Sequence, residues 1–157
     1  MTATVTAIAV ALVVVDTSVH LSSEVFGKTG GPAKEIIARG FSGHFDFALS
    51  RLLLAEIARK LTDTGVPPLV AAPYIASLLA IGQEHPDVDA TDIECADPDD
   101  AFVVALARSC RAWCVVAQDN ALVDHEADPP MWPPPVFLAR LRVRRGEPDG
   151  TRFMVER

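Results

Sequence analysis

The sequence contains no Cys-x-x-Cys motif, and its three cysteines, Cys95, Cys110 and Cys114, cannot all pair with one another. A disulfide framework is excluded, and a reduced, cytoplasmic protein is expected. No lysine or arginine precedes Lys28. The apolar opening VTAIAVALVVV therefore lacks the basic lead of a secretory signal, and it falls short of the ~20 apolar residues a membrane span needs. Neither export nor membrane insertion is expected. Positive charge is scarce as well: the net charge is −7, so a broad electrostatic footprint for nucleic acid is missing. Acids gathered in one cleft to bind metal would contribute to that balance. His20, His44, His85 and His125 are scattered, without zinc-ligand spacing. FGKTGG lacks the upstream glycine of a phosphate loop, and Ser18, Ser22 and Ser23 sit in no nucleophile-elbow pattern.

What is present is a chain able to bury a core. Of its 157 residues, 50% are hydrophobic and 22% charged, which fits one folded domain. The boundary is drawn at 145, leaving 146–157 as a tail. Residues 8–15 form a near-continuous apolar run, the mark of a parallel strand covered on both faces. A short helix is expected from Thr17. GGPAKEIIARG predicts another, opened by Gly-Gly-Pro and stopped at Gly40. FDFALS alternates as a strand and delivers Ser50 as the N-cap of a helix with the apolar stripe Leu53, Leu54, Ile57 and Leu61. PPLVAAPYIASLLAIGQ predicts a helix broken or begun at Pro73. Residues 83–96 show no period and predict a loop, or a short strand around Ile93. DPDDAFVVALARSC is a helix with Asp97 as N-cap and Pro98 at its first position. AWCVVAQD is a second buried strand ending in an aspartate, and VFLARLRVRR closes the chain as an amphipathic helix. Strands alternating with helices indicate α/β architecture around a parallel sheet.

Ligands of open α/β sheets sit beyond the carboxyl ends of the strands. Asp16 and Asp119 end two buried strands and would face that crevice. Glu56 borders the apolar stripe of its helix, and Asp100 stands at the start of the helix leading to the Asp119 strand. Each has a plainer explanation: Asp16 as a helix cap, Glu56 as a solvated helix residue, Asp119 as a turn residue. Capping accounts well for Asp97 and Asp99, and less well for Asp100.

In this order and spacing, VVVDTSV, LSRLLLAEI, DPDDAFVVALA and VVAQDNALV resemble the PIN-domain nucleases, in particular the toxin components of toxin–antitoxin systems. PPPVFLARL is similar to that group's closing helix. The resemblance implies a three-layer α/β/α sandwich with a central parallel sheet, and metal-dependent cleavage of RNA by a cytoplasmic enzyme with a cognate antitoxin. It places the family's four acids on Asp16, Glu56, Asp100 and Asp119, as ligands of Mg²⁺ or Mn²⁺. Thr17, Ser18 and Ser50 would support them or orient water, and Asp97 would be a cap or an outer neighbour. Two positions depart from the family pattern. Ala117 stands where a Thr or Ser is frequent, and Ser18 where Asn is frequent.

Such a set suits the chemistry. Mg²⁺ and Mn²⁺ prefer oxygen ligands. Four carboxylates ~5 Å apart would repel by roughly 3 kcal/mol per pair at an effective dielectric of ~20, so a cation is the natural reason for gathering them. Arg51, Lys60 and Arg108 are candidate contacts to an RNA backbone. Arg140, Arg142, Arg144 and Arg145 are either a solvated basic face or a surface for RNA phosphates or an acidic antitoxin tail. A second copy of the chain is a further candidate partner. Two alternatives stay open: a non-catalytic PIN-fold module that binds RNA or protein, and a haloacid-dehalogenase-like phosphatase. Ser18 argues against the phosphatase, because that family's motif needs a second aspartate there.

Overall fold

Leu12–Val15 forms strand β1, and Val13, Val14 and Val15 are at most 1% exposed. Such a strand must be covered on both faces and paired on both edges, and the rest of the fold does both. In this computed structural model, which describes residues 9–25, 31–94, 98–118 and 127–148, four further strands follow. They are β2 (Asp46–Leu49), β3 (Gln83–Glu84), β4 (Cys114–Val116) and β5 (Met131–Trp132). The sheet order is β3-β2-β1-β4-β5, with every pairing parallel. Val13 stands beside Phe47 on one side and Cys114 on the other. Six helices flank the sheet in a three-layer α/β/α sandwich: α1 (Thr17–Val25), α2 (Pro32–Phe41), α3 (Arg51–Asp63), α4 (Pro68–Ile81), α5 (Ala101–Ser109) and α6 (Pro134–Arg145). None of the described helices is long and apolar enough to cross a membrane.

The expected stripe of α3 is buried at Leu53, Leu54, Ile57 and Leu61, and Ser50 caps the helix by accepting a 3.2 Å hydrogen bond from Leu53 N–H. Four local expectations are corrected. Gly40 does not stop α2; the helix runs to Phe41 and is capped at Ser42, ahead of Gly43 in the left-handed region at φ +81°. Gly40 is needed for packing instead, since a Cβ there would lie 2.3 Å from the buried Phe47 ring. Pro73 neither breaks nor begins α4, which starts at Pro68 and passes through it. The carbonyl that Pro73 cannot bond belongs to Leu69, a residue 91% exposed, so water can satisfy it. The strand after α4 lies at 83–84 rather than around Ile93, drawn there by pairing with Ala48 and Leu49 at the end of β2. Pro98 opens a 3₁₀ turn, Pro98–Asp100, before α5 instead of the α-helix itself. Asp97, Asp119, Cys95 and His125 lie outside the described residues. Cys110 and Cys114 are free thiols, and burial pushes the Cys114 thiol up.

Beneath α2 and α6 the core holds one large buried cation. Arg39 is fully buried and donates to Glu35 at 2.8 Å and to both carboxylate oxygens of Glu147 at 2.8 and 3.0 Å. Breaking such a pair leaves a buried charge uncompensated. The Arg39 hydrogen bonds hold the Glu147 carboxyl at about 2, and they fasten the chain just past α6 onto α2. Ring contacts reinforce the joint: Phe137 of α6 meets Phe45 edge-on at 5.3 Å. His20 of α1 is also fully buried, with Nδ1 2.6 Å from the Tyr74 hydroxyl. Desolvation lowers its pKa from 6.5 to about 4, so it is neutral in the fold.

Two stability predictions follow from these contacts. Gly40→Ala is expected to cost about 1–3 kcal/mol by overpacking against Phe47, measured by denaturant unfolding. For His20 the unfolded chain takes up a proton near 6.5 and the folded chain only near 4. The native state therefore loses stability as pH falls through that window, by about 3 kcal/mol in all. His20→Gln should remove that component, so its unfolding free energy should change less than the wild type's between pH 7 and 4. Equal slopes would show that His20 does not titrate as described.

Candidate metal centre

Because all five strands run the same way, their carboxyl ends share one edge of the sheet. Asp16 follows β1 there, Ser50 follows β2, and Ala117 and Gln118 follow β4. Asp16 is 7% exposed, and its N–H continues the sheet by donating to Val116 O at 2.8 Å. Its side chain is held from one side. Ser18 Oγ–H donates to Asp16 Oδ2 at 2.8 Å, Ser18 N–H reaches the same oxygen at 3.3 Å, and Gln118 N–H donates to Ser18 Oγ at 3.2 Å. Ser22 Oγ also bonds to Gln118 Oε1. Ser18 therefore links the end of β1 to the end of β4, one residue before Asp119. Oδ1 of Asp16 makes no hydrogen bond among the described residues, and the neighbouring Thr17 Oγ1 is buried and equally unbonded.

Glu56 and Asp100 share a cleft. They line one cleft of about 400 Å³ together with Asp99 and two cations, Arg59 and Lys60. Glu56 is bound by both cations of its own helix: Arg59 donates to Oε1 at 2.8 Å and to Oε2 at 3.2 Å, and Lys60 Nζ stands 3.6 Å from Oε1. Those bonds raise the Arg59 pKa. Asp16 is not among the residues lining the cleft. Among the described residues no three acids, cysteines or histidines stand close enough to share an ion. Glu56 and Asp100 thus share one cleft, and Asp16 stands at the end of β1. The Ser50 hydroxyl serves as the cap of α3.

The basic candidates divide. Lys60 lines the cleft, and Arg51 is exposed at the start of α3. Arg108 is placed against expectation. It lies at the far end of α5, where the chain returns to the amino end of β4, and it lines a separate cleft with Arg111 and Asp128. A helix that crosses back over a parallel sheet carries its last turn to the opposite edge from the acids. The arginines of α6 are engaged within the chain. Arg142 binds Glu35 at 2.9 Å and Arg145 binds Glu147 at 3.0 Å, while Arg140 and Arg144 lie 5.5 and 4.8 Å from the ring centres of Trp132 and Trp113. Sequence reasoning missed Arg59 and Gln118. The first was detectable from its i,i+3 spacing after Glu56; the second reaches Ser18 through its backbone N–H, which no sequence signal reports.

A family model described as PIN domain matches residues 12–121. The chain belongs to the PIN-domain family. That nuclease family takes the place of the haloacid-dehalogenase alternative. Among curated proteins none matches the chain in sequence. Its structure is similar to the crystal structure of PAE2754 from Pyrobaculum aerophilum, with a TM-score of 0.59 at 14% identity, over 85% of this chain and 96% of that one. At that identity the likeness shows a shared PIN-like fold alone.

PIN domains generally use divalent metals, and the oxygens at the sheet edge fit one. They are hard donors, and Asp16 Oδ1 and Thr17 Oγ1 have no competing bonds among the described residues. Mn²⁺ at a hundredfold excess over its Kd is expected to stabilise the native state by about 2.7 kcal/mol, read as a rise in melting temperature. Asp16→Asn should abolish the rise. Equal shifts in both proteins would place the ion elsewhere.

Proposed function

We propose that this PIN domain is a divalent-metal-dependent endoribonuclease and the toxin of a toxin–antitoxin pair, with Asp16, Glu56, Asp100 and Asp119 as the acids of its site. The observation that carries the reading is the buried Asp16 carboxylate, tied on one oxygen by Ser18 and open on the other. Asp16 also caps α1, since Oδ2 accepts from Ser18 N–H at 3.3 Å, and capping leaves Oδ1 available.

Mg²⁺ or Mn²⁺ held by these acids would neutralise charge on the scissile phosphate and supply a water of lowered pKa. The chain's own residues do the rest. Ser18 fixes the Asp16 carboxylate through Oδ2, so Oδ1 presents its lone pairs without having to be ordered first. Asp119, next after Gln118 in the chain, is the fourth acid in this assignment. Glu56, bound by Arg59 and Lys60 in the structure, would be a further carboxylate for the ion. Arg59 and Lys60 line that cleft and would balance the charge of a phosphate bound there. Their presence there is the local basicity that the net charge of −7 does not supply. A small acidic antitoxin is the partner in this reading.

Two observations favour the alternative of a non-catalytic binding module. Ala117 offers no hydroxyl beside the site, and Glu56 is already satisfied by its own helix. Purified protein incubated with RNA and Mn²⁺ separates the two readings. Cleavage should appear with metal, vanish with chelator, and fall by at least 10²-fold in Asp16→Asn with its fold retained. Metal-independent binding without cleavage would establish the module instead. Growth arrest on expression, relieved by a neighbouring small reading frame, tests the toxin role.

A further inference from the structure

At the amino edge of the sheet, opposite Asp16, two arginines face solvent without an internal role. Arg39, Arg59, Arg142 and Arg145 are held in ion pairs, and Arg140 and Arg144 lie over tryptophan rings. The guanidinium groups of Arg108 and Arg111 make no hydrogen bond, ion pair or ring contact among the described residues. Both are exposed, and they line one cleft of about 450 Å³ with Ala112, Asp128 and Pro129. Asp128 pairs with neither of them.

Arg111 also stands where the backbone favours glycine. Ala112 N–H donates to Ala107 O at 3.0 Å and Arg111 N–H to Arg108 O at 3.3 Å. This pair of bonds closes a helix through one left-handed residue, most often glycine. Here that residue is Arg111, at φ +53°. Glycine takes this conformation freely, whereas a side chain strains it. Arginine at this place costs the fold stability, and no internal contact of its guanidinium offsets the cost. Its use lies outside the chain.

We propose that this cleft is a second contact for substrate RNA, holding its phosphate backbone at the end of the molecule opposite Asp16. The identity of the ligand rests on the nuclease reading. The planar fork of arginine pairs two N–H donors with two phosphate oxygens. Two unpaired forks in a chain of net charge −7 make a local reversal of sign that draws an anion here. Asp128 selects among anions. It repels an acidic side chain, which brings no donor to it. RNA carries a 2′-hydroxyl beside every phosphate, and Asp128 can accept from that hydroxyl while the arginines hold the phosphates. DNA lacks the donor.

Distance sets how much RNA takes part. Ala112 precedes β4 and Gln118 follows it, so the two ends lie about 20 Å apart at roughly 3.3 Å per residue. A strand stacked at about 3.4 Å per nucleotide needs roughly six nucleotides to reach from one to the other. The cleft therefore contributes affinity for long RNA and takes no part in the chemical step.

Fluorescence anisotropy of the full chain with a labelled single-stranded RNA of about 20 nucleotides, well beyond that span, tests it. Chelator is present, so no cleavage intervenes. Arg108→Ser combined with Arg111→Gly should weaken binding about tenfold or more, and should lower the slope of log K against log salt by about 1.4, for two phosphates released. The double variant should keep the wild-type circular dichroism, and Arg111→Gly alone should melt at a higher temperature. Lys34→Gln, on α2 and outside the cleft, should change neither affinity nor slope. The wild type should bind RNA more tightly than DNA of the same sequence, and Asp128→Ala should narrow that preference. Unchanged affinity and slope in the double variant overturn the proposal. So does a wild type that binds no RNA, or that binds DNA equally well. Loss of binding to polyglutamate with RNA binding intact assigns the cleft to an acidic protein and overturns it too. RNA held through the cleft yet never cut with Mn²⁺ supports the contact and contradicts the nuclease reading alone.

Discussion

The fold depends on burying β1 completely. Three valines at most 1% exposed need a neighbour on each edge and a helical layer on each face. The parallel pairings to β2 and β4 supply the edges, and the crossover helices that parallel pairing demands supply the faces. The same constraint creates the candidate site. A strand so enclosed can meet polar chemistry only where it leaves the sheet, and it leaves at Asp16. The last backbone pairing, Asp16 N–H to Val116 O, fixes that carboxylate against the end of β4 before any ligand is involved.

Much of this was legible because it rests on local period and caps. The Ser50 cap and the stripe of α3 depend on nearest neighbours in sequence and lie where the pattern placed them, while of the run expected as a strand at 8–15, Leu12–Val15 forms β1. Gly40 and Pro73 were misread because their roles depend on tertiary context. The Phe47 ring is what requires glycine at 40, and exposure of the Leu69 carbonyl is what permits proline at 73. Strand β3 is two residues long and exists only through its pairing with β2, so no period within it could announce it.

At the candidate site, the spacing of acids did not report the ion pairs they make within the chain. Glu56 is paired with Arg59 and Lys60 of its own helix. Exposed ion pairs of this kind add little stability, so a cation bound there would displace them at small cost. The α6 arginines show the reverse. Their number suggests a binding surface, while their partners Glu35, Glu147, Trp132 and Trp113 show a helix fastened to its own domain. Arg39 beneath them makes the same point, since a fully buried arginine is invisible to a pattern that assigns charge to solvent.

The central claim is that Asp16, oriented through Ser18 from the end of β4, is the first ligand of a divalent cation. The most direct measurement is anomalous diffraction from crystals of the protein soaked in Mn²⁺. The account predicts a manganese peak within coordination distance of Asp16 Oδ1, with Ser18 still bonded to Oδ2. A peak confined to other parts of the surface, or none at saturating Mn²⁺, would contradict it.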